Sequence, residues 1–212
     1  MSISNFYSAA VANDFARTFQ FRVDQMSFGP VGGGKRVNFK YDTNGETLYV
    51  ETAALPGRVV NNIPVPFMGL SFNVPGTASF PGSNNYPVVF RCDQRYAIRA
   101  TLEQSLVDTF NISETAGNYN TPDATNFITM TLFGKANGTN GTPQAIRTYT
   151  LVGVYLVGLA DTQYDVKDTG NVALINATLA YQYWRVAQGT QATGIEQIGA
   201  PARGFSKTGQ PG

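Results

Sequence analysis

The residue types that most often carry out catalysis or bind metals are scarce in this sequence of 212 residues. Histidine, which most acid–base sites and most zinc sites use, is absent. Cys92 is the single cysteine, so neither an internal disulfide nor a multi-cysteine metal site can form. Because Cys92 follows Phe90 at the end of an apolar strand pattern, we expect it to be a buried structural thiol.

Two short patterns are weak matches to known binding motifs. The run Gly32-Gly33-Gly34-Lys35 is rich in glycine like a phosphate loop, but its spacing is wrong and Arg36 follows the lysine. Asp161, Asp165 and Asp168 lie close together, but their spacing departs from that of a calcium loop. No pair of carboxylates has a spacing that indicates glycoside hydrolysis. We therefore predict that the protein is not an enzyme and uses no cofactor or metal.

The charge of the chain is low and balanced. Charged residues make up 14% of the sequence, and the net charge is +1. This charge provides no basic field for holding nucleic acid through its phosphates. Low surface charge suits a protein that contacts copies of itself, although an ordinary neutral β-protein would have the same composition. Without a membrane-spanning apolar run or a secretory signal pattern, we expect assembly in the cytoplasm.

Most of the chain alternates with a period of two, which is typical of half-buried antiparallel strands. Apolar residues on one face of such strands are Phe19, Phe21 and Val23 in the first, Leu70, Phe72 and Val74 in the second, and Val88 and Phe90 in the third. Residues 127–133 and 145–157 flank a turn rich in Asn-Gly, which favours a hairpin. A last strand is predicted over residues 172–186, with Ile175, Ala177, Leu179, Tyr181 and Tyr183 on one face.

One segment, residues 93–110, has no glycine or proline and predicts a helix. Its apolar stripe consists of Ile98, Leu102, Leu106 and Phe110. Asp93 is placed to cap the start of this helix. The sequence therefore predicts a mainly β domain with one flanking helix over residues 1–187. Residues 29–38 and 113–125 are predicted loops, and residues 188–212 are a predicted flexible or partner-ordered tail.

Several segments together resemble the tail tube proteins of contractile-tailed bacteriophages. In chain order they are residues 14–17, 19–21, 53–57, 63–68, 73–76, 153–158 and 174–184. The ordered pair Leu-Pro-Gly (55–57) and Ile-Pro-Val-Pro-Phe (63–67) is the most specific part. The resemblance covers residues 14–185. The glycine-rich stretch near Gly32, residues 113–125 and the tail after Ala187 depart from it.

The resemblance implies a small antiparallel β-barrel or sandwich that closes into a hexameric ring. Stacked rings would form the tube inside a contractile sheath in the virion, assembled in the host cytoplasm, and the genome would pass along its channel. The implied partners are further copies of the chain, the sheath protein, baseplate and tail terminator proteins, the tape measure protein and double-stranded DNA. Alternatives are the inner tube of a bacterial secretion or phage-like injection system, or a minor tube or baseplate component of the same fold.

Two sets of residues follow as candidate sites. We predict that residues 54–74 form an interface loop, because prolines remove backbone donors and exclude an ordinary central strand. Its contact residues are Leu55, Pro56, Ile63, Pro64, Phe67 and Met68. A channel for DNA should be acidic or neutral, because a basic wall would bind the polymer at many points. The candidate channel residues are Glu51, Asp161 and Asp165, and Glu51 is predicted to point outward from a strand at 48–50.

Overall fold

The computed structural model describes residues 3–4, 17–30, 35–41, 46–111, 116–117, 125–134, 145–162, 164, 167 and 170–188. Several features named above lie outside these ranges, namely the glycine run at 32–34, the Asn-Gly turn at 135–144, Asp165, Asp168 and the predicted tail beyond Gln188. No helix within the described ranges is long and apolar enough to cross a membrane.

The described part of the chain is built mostly from antiparallel strands. They are β1 (Phe21–Phe28), β2 (Val37–Lys40), β3 (Val50–Ala53), β4 (Val59–Phe67), β5 (Leu70–Ser79), β6 (Tyr86–Arg91), β7 (Phe110–Asn111), β8 (Ala116–Gly117), β9 (Phe127–Phe133), β10 (Ala145–Val152), β11 (Tyr155–Leu159), β12 (Leu174–Ala180) and β13 (Tyr183–Gln188). A 3-10 helix spans Glu46–Tyr49, and the helix α1 spans Ala97–Thr109. The predicted loop at 29–38 thus extends too far, because Val37 and Asn38 belong to β2, and β8 lies within the predicted loop at 113–125.

Two sheets form a sandwich. The larger has the strand order β13-β10-β9-β1-β2, and the smaller has the order β11-β12-β6-β3. Within the described residues, β4 and β5 pair only with each other, as do β7 and β8. The prediction of a mainly β fold with a helix is confirmed. The two sheets are open at their edges as far as the chain is described, so this part of the protein is a sandwich and not a closed barrel.

The core lies between the two sheets. Met26 and Phe28 of β1 are buried on one side, and Phe90 and Ile175 are buried on the other. Phe39 of β2 meets Phe90 of β6 edge to face, with ring centroids 6.1 Å apart. Alternation with a period of two places these side chains on the inner faces, as the sequence predicts for β6 and β12. Cys92 is only partly buried, so the prediction of a buried thiol holds in part.

The first strand differs from its prediction in two places, at its start and at a bulge within it. Phe19 lies before β1 and is 70% exposed, so it does not share the buried face of Val23. The pairing with β9 shifts between Val23 and Gln25, where β1 carries a bulge. The extra residue keeps Val23 and the later Met26 and Phe28 on the core side, which strict alternation from Phe19 cannot predict.

Two long predicted strands are each divided by a corner. Residues 145–157 form β10 and β11, which belong to different sheets and meet at Gly153. Gly153 has a φ of 70°, which a residue with a side chain rarely adopts. Residues 172–186 likewise become β12 and β13, which are separated by Tyr181 and Gln182. A strand that continues from one sheet into the other must turn, and the apolar pattern does not record the turn.

The helix α1 covers the side of the sandwich where β11 and β2 lie. Ile98 and Leu102 are buried and Leu106 is partly buried, as predicted. Phe110 is 55% exposed, because the helix ends at Thr109 and the backbone of Phe110 is extended. The prediction that Phe110 belongs to the buried stripe of the helix is therefore wrong.

Asp93 caps the start of α1, as predicted, although α1 begins at Ala97 and not at residue 93. Its carboxylate accepts hydrogen bonds from the backbone N–H groups of Ala97 and Ile98, at 3.0 and 3.1 Å. Burial acts to raise the pKa of Asp93, but these backbone donors outweigh it and hold the pKa below its usual value.

We expect Asp93→Ala to lower the free energy of unfolding by about 1 kcal/mol at neutral pH. Because the folded-state pKa is depressed, the stabilisation by Asp93 is complete above the unfolded pKa of about 3.9. It is lost as the pH falls through the folded-state pKa, so the difference between parent and variant should shrink in acid. Urea titrations of the parent and Asp93→Ala across pH would measure this, with Asp93→Asn as a control that keeps a capping oxygen but cannot titrate. A difference independent of pH would contradict it.

Candidate assembly surface

The strands β4 and β5 form a hairpin that stands apart from both sheets, and we call residues 59–79 the arm. Every residue of β4 is exposed, and so is every residue of β5 except Gly76. The predicted interface loop at 54–74 is therefore a two-stranded ribbon for most of its length. The strand predicted at Leu70, Phe72 and Val74 is present, but it is not half-buried as expected.

The arm closes through a two-residue turn at Met68 and Gly69. Their φ angles are 48° and 78°, as a type I′ turn requires. Glycine adopts such angles without strain, whereas methionine does so at an energetic cost. Met68 is 87% exposed at the tip, so nothing in the folded subunit accounts for an apolar side chain at this position.

One face of the arm is apolar. The register pairs Ile63 with Val74, Val65 with Phe72, and Phe67 with Leu70, and these six residues form what we call the apolar face. Their exposed fractions lie between 43% and 63%. Covering the half that remains accessible would contribute about 1 kcal/mol for each side chain. Contiguous exposed apolar surface of this kind makes the apolar face a candidate for contact with another protein.

The opposite face of the arm carries polar residues and prolines. There the register pairs Asn62 with Pro75, Pro64 with Asn73, and Pro66 with Ser71. A hairpin with a two-residue turn is closed by a hydrogen-bonded pair, here Phe67 with Leu70, and hydrogen-bonded pairs alternate with non-bonded pairs along the ladder. All three prolines therefore occupy non-bonded pairs, where no N–H is needed between β4 and β5. This explains why prolines are compatible with these strands.

The arm has no charged residue. Arg58, just before the arm, is the single charged residue between Thr52 and Phe90. Any contact made by the arm therefore cannot include an ion pair with an arm side chain and depends on its apolar face. The low charge of the whole chain is most pronounced in this segment.

The root of the arm is anchored to the sandwich by aromatic residues. The Tyr86 hydroxyl donates a hydrogen bond to the Ala54 carbonyl, and the Trp184 Nε1–H donates one to the Gly57 carbonyl at 3.0 Å. Phe80, just after the arm, meets Trp184 edge to face at 6.4 Å. Burial raises the pKa of Tyr86, so its hydroxyl stays a proton donor. These contacts fix the base of the arm, while its distal part projects.

The predicted interface residues do not form one surface. Ile63 and Phe67 lie on the apolar face, whereas Pro64 lies on the opposite face. Met68 is at the tip. Leu55 is exposed and Pro56 partly exposed, and both lie at the root, before β4 begins.

The prediction also missed four residues that complete the apolar face. They are Val65, Leu70, Phe72 and Val74. The signal that could have found them is two alternating apolar runs separated by Met-Gly, which is a hairpin pattern.

The candidate channel residues are far from one another where they can be placed. Glu51 lies on β3 and forms an ion pair with Arg91, with 3.3 Å between Oε2 and Nε. Asp161 is exposed just beyond β11, at the opposite edge of the smaller sheet. Asp165 lies outside the described residues. Leu48 and Tyr49 lie in the 3-10 helix and Leu48 is 67% exposed, so the strand predicted at 48–50 is wrong for these two residues. Val50 does begin β3, and Glu51 is exposed, as predicted.

The described residues form a β-sandwich with a projecting arm whose apolar face is exposed. No protein-family model matches the sequence, and no curated protein matches it significantly. Among solved structures, a chain of the anti-feeding prophage (AFP) baseplate has 9% identity and a TM-score of 0.52. The match covers 83% of this chain and 97% of that chain. At this identity the similarity establishes a shared fold and no more.

Two further solved structures are similar with lower scores. A chain of the AFP tube-terminating cap has 14% identity and a TM-score of 0.49, over 85% of this chain and 99% of that chain. A chain of the sheath–tube complex of the extracellular contractile injection system PVC has 12% identity and a TM-score of 0.46, over 89% and 99%. Of these three structures, the AFP baseplate chain is the one whose TM-score supports a fold shared with this chain.

Proposed function

We propose that this protein is a structural subunit of the inner tail tube of a contractile-tailed bacteriophage. The observation that carries this proposal is the arm, which presents an uncharged apolar face that the subunit itself leaves uncovered. In the proposed tube, that face docks on another copy of the chain. The segments that resemble tail tube proteins most specifically, 55–57 and 63–67, lie at the root of the arm and in β4.

The proposed assembly is a hexameric ring, and the rings stack into a tube within a contractile sheath in the virion. A strand-rich sandwich with open edges favours ring closure, because neighbouring copies can cover those edges. The proposed partners are the sheath, baseplate, tail terminator and tape measure proteins, with double-stranded DNA in the channel. Glu51, Asp161 and Asp165 remain candidates for an acidic or neutral channel wall. Because Arg91 already neutralises Glu51, the contribution of Glu51 to such a wall would be small.

A second candidate is a tube or baseplate component of a phage-like injection system. The fold shared with the AFP baseplate chain favours this candidate. Both candidates need the arm for assembly, and they differ in what passes along the channel. Co-purification of the protein with DNA-filled virions, as opposed to empty injection particles, separates them.

We expect the purified protein to form rings with six subunits or hollow filaments at high concentration. Negative-stain microscopy and sedimentation over a concentration series would measure this. Dilution should dissociate the filaments, because each contact depends on modest apolar burial. A protein that stays monomeric at every concentration, and that is absent from tail particles, would refute the proposed function.

A further inference from the structure

The two outer edges of the arm differ in their ability to form backbone hydrogen bonds. In the non-bonded pairs of the ladder, the N–H and C=O groups of both residues point away from the partner strand. On β4 these outward positions are Asn62, Pro64 and Pro66. Prolines have no N–H, so two of the three outward donors on this edge are missing.

The outer edge of β5 keeps its donors near the turn. Its outward positions are Ser71, Asn73 and Pro75, so two successive residues present both an N–H and a C=O. Pro75 then ends the run. In the described part of the chain, β5 has β4 as its one neighbouring strand. The part of the β5 edge that can form backbone hydrogen bonds with a further strand therefore spans Leu70 to Val74, which is enough for one short added strand.

This asymmetry has a physical reason. Exposed strand edges pair with other chains, and natural proteins block such edges with proline or charge. The arm has no charge, and its β4 edge is blocked by two prolines in a row. If both edges were exposed to solvent in the working protein, the β5 edge would need the same protection. Its lack of protection indicates that another strand covers it in the assembly.

The described part of the sandwich does not provide that strand. The nine residues of β4 place the turn about 30 Å from the root, at roughly 3.4 Å per residue. Ser71 and Asn73 lie in the half of the arm nearest the turn, whereas the anchoring contacts at Ala54 and Gly57 lie at the root. Among the described residues no strand is left to cover this edge, which favours a strand from another molecule.

We propose that a strand of a second copy of this chain adds to the β5 edge at Ser71 and Asn73, and that the β4 edge stays unpaired. This proposal rests on the proposed function, which makes a second copy the partner of the arm. Side chains of the added strand would lie beside Leu70, Phe72 and Val74 and extend the apolar face. The partner strand is thus uncharged and about five residues long, with apolar residues at alternate positions.

Matched proline substitutions test the choice of edge. Asn73→Pro removes an outward donor from the β5 edge, and Asn62→Pro removes one from the β4 edge. Neither removes a hydrogen bond between β4 and β5, and prolines already occupy equivalent positions. We expect Asn73→Pro to abolish filaments seen by negative-stain microscopy, and Asn62→Pro to assemble like the parent protein. Filaments of normal yield from Asn73→Pro would overturn the proposal.

Hydrogen exchange on parent filaments gives a second measurement that needs no variant. The amides of Ser71 and Asn73 should exchange at least about ten-fold more slowly in filaments than in subunits, while the amide of Asn62 stays fast. Equal protection on both edges, or none at Ser71 and Asn73, would overturn the proposal even if Asn73→Pro failed to fold. Suppose that Asn73→Pro forms filaments while Phe67→Asp, on the apolar face, prevents them. That result would reject strand addition at the β5 edge and still support the proposed function.

Discussion

Replacing Phe67 by aspartate should abolish tube growth and leave the subunit folded. Phe67 is 59% exposed and lies outside the core, so its loss costs the fold little. In a contact that covers the apolar face, the same position would become an unpaired buried carboxylate, which is strongly unfavourable. The penalty recurs for every subunit that joins the tube. Circular dichroism and thermal unfolding report on the fold, and sedimentation with microscopy reports on growth.

The control for this experiment is Asn62→Asp, which adds the same charge to the opposite face of the arm. It should assemble close to normally, with a somewhat larger sensitivity to low salt. If Phe67→Asp still forms normal tubes, the apolar face is not an assembly surface and the proposed function loses its main support. If both variants fail, the arm is sensitive to charge on either face, and the apolar face has no special role.

The arm shows what sequence patterns can and cannot predict. The alternation in Leu-Ser-Phe-Asn-Val (70–74) correctly predicts a strand with one apolar face. It cannot tell whether that face meets the protein's own core or another molecule, because the burial of alternate residues is the same in both cases. The prolines at 64 and 66 gave the better indication, since they excluded a central strand. They did not exclude an edge strand in a hairpin.

The corners and the end of the helix were missed for a related reason. An apolar pattern continues through Gly153, although the chain passes there from one sheet to the other. Phe110 continues the four-residue spacing of the helix, but its extended backbone places it in β7. Periodicity records which side of a segment is apolar, whereas direction changes depend on the packing of the whole sandwich. The buried faces of β6, β12 and α1 were predicted well because each of these elements packs against the same core along its whole length.

The largest expected effect on stability is that of Leu102→Ala in α1. Leu102 is 0% exposed and lies with Ile98 in the core cluster of the sandwich. Its truncation removes buried apolar contacts and leaves a cavity, so the free energy of unfolding should fall by about 2–5 kcal/mol. Leu48→Ala makes the same chemical change at a residue that is 67% exposed, and it should change stability by less than about 0.5 kcal/mol. Urea denaturation of both variants at low protein concentration, where subunits are dissociated, measures the difference.

If the two leucines proved equivalent, α1 would not be packed on the sandwich. Since the arm is anchored at the other side of the sandwich through Trp184, such a result would leave the proposed assembly surface intact and change only the account of what holds the subunit together.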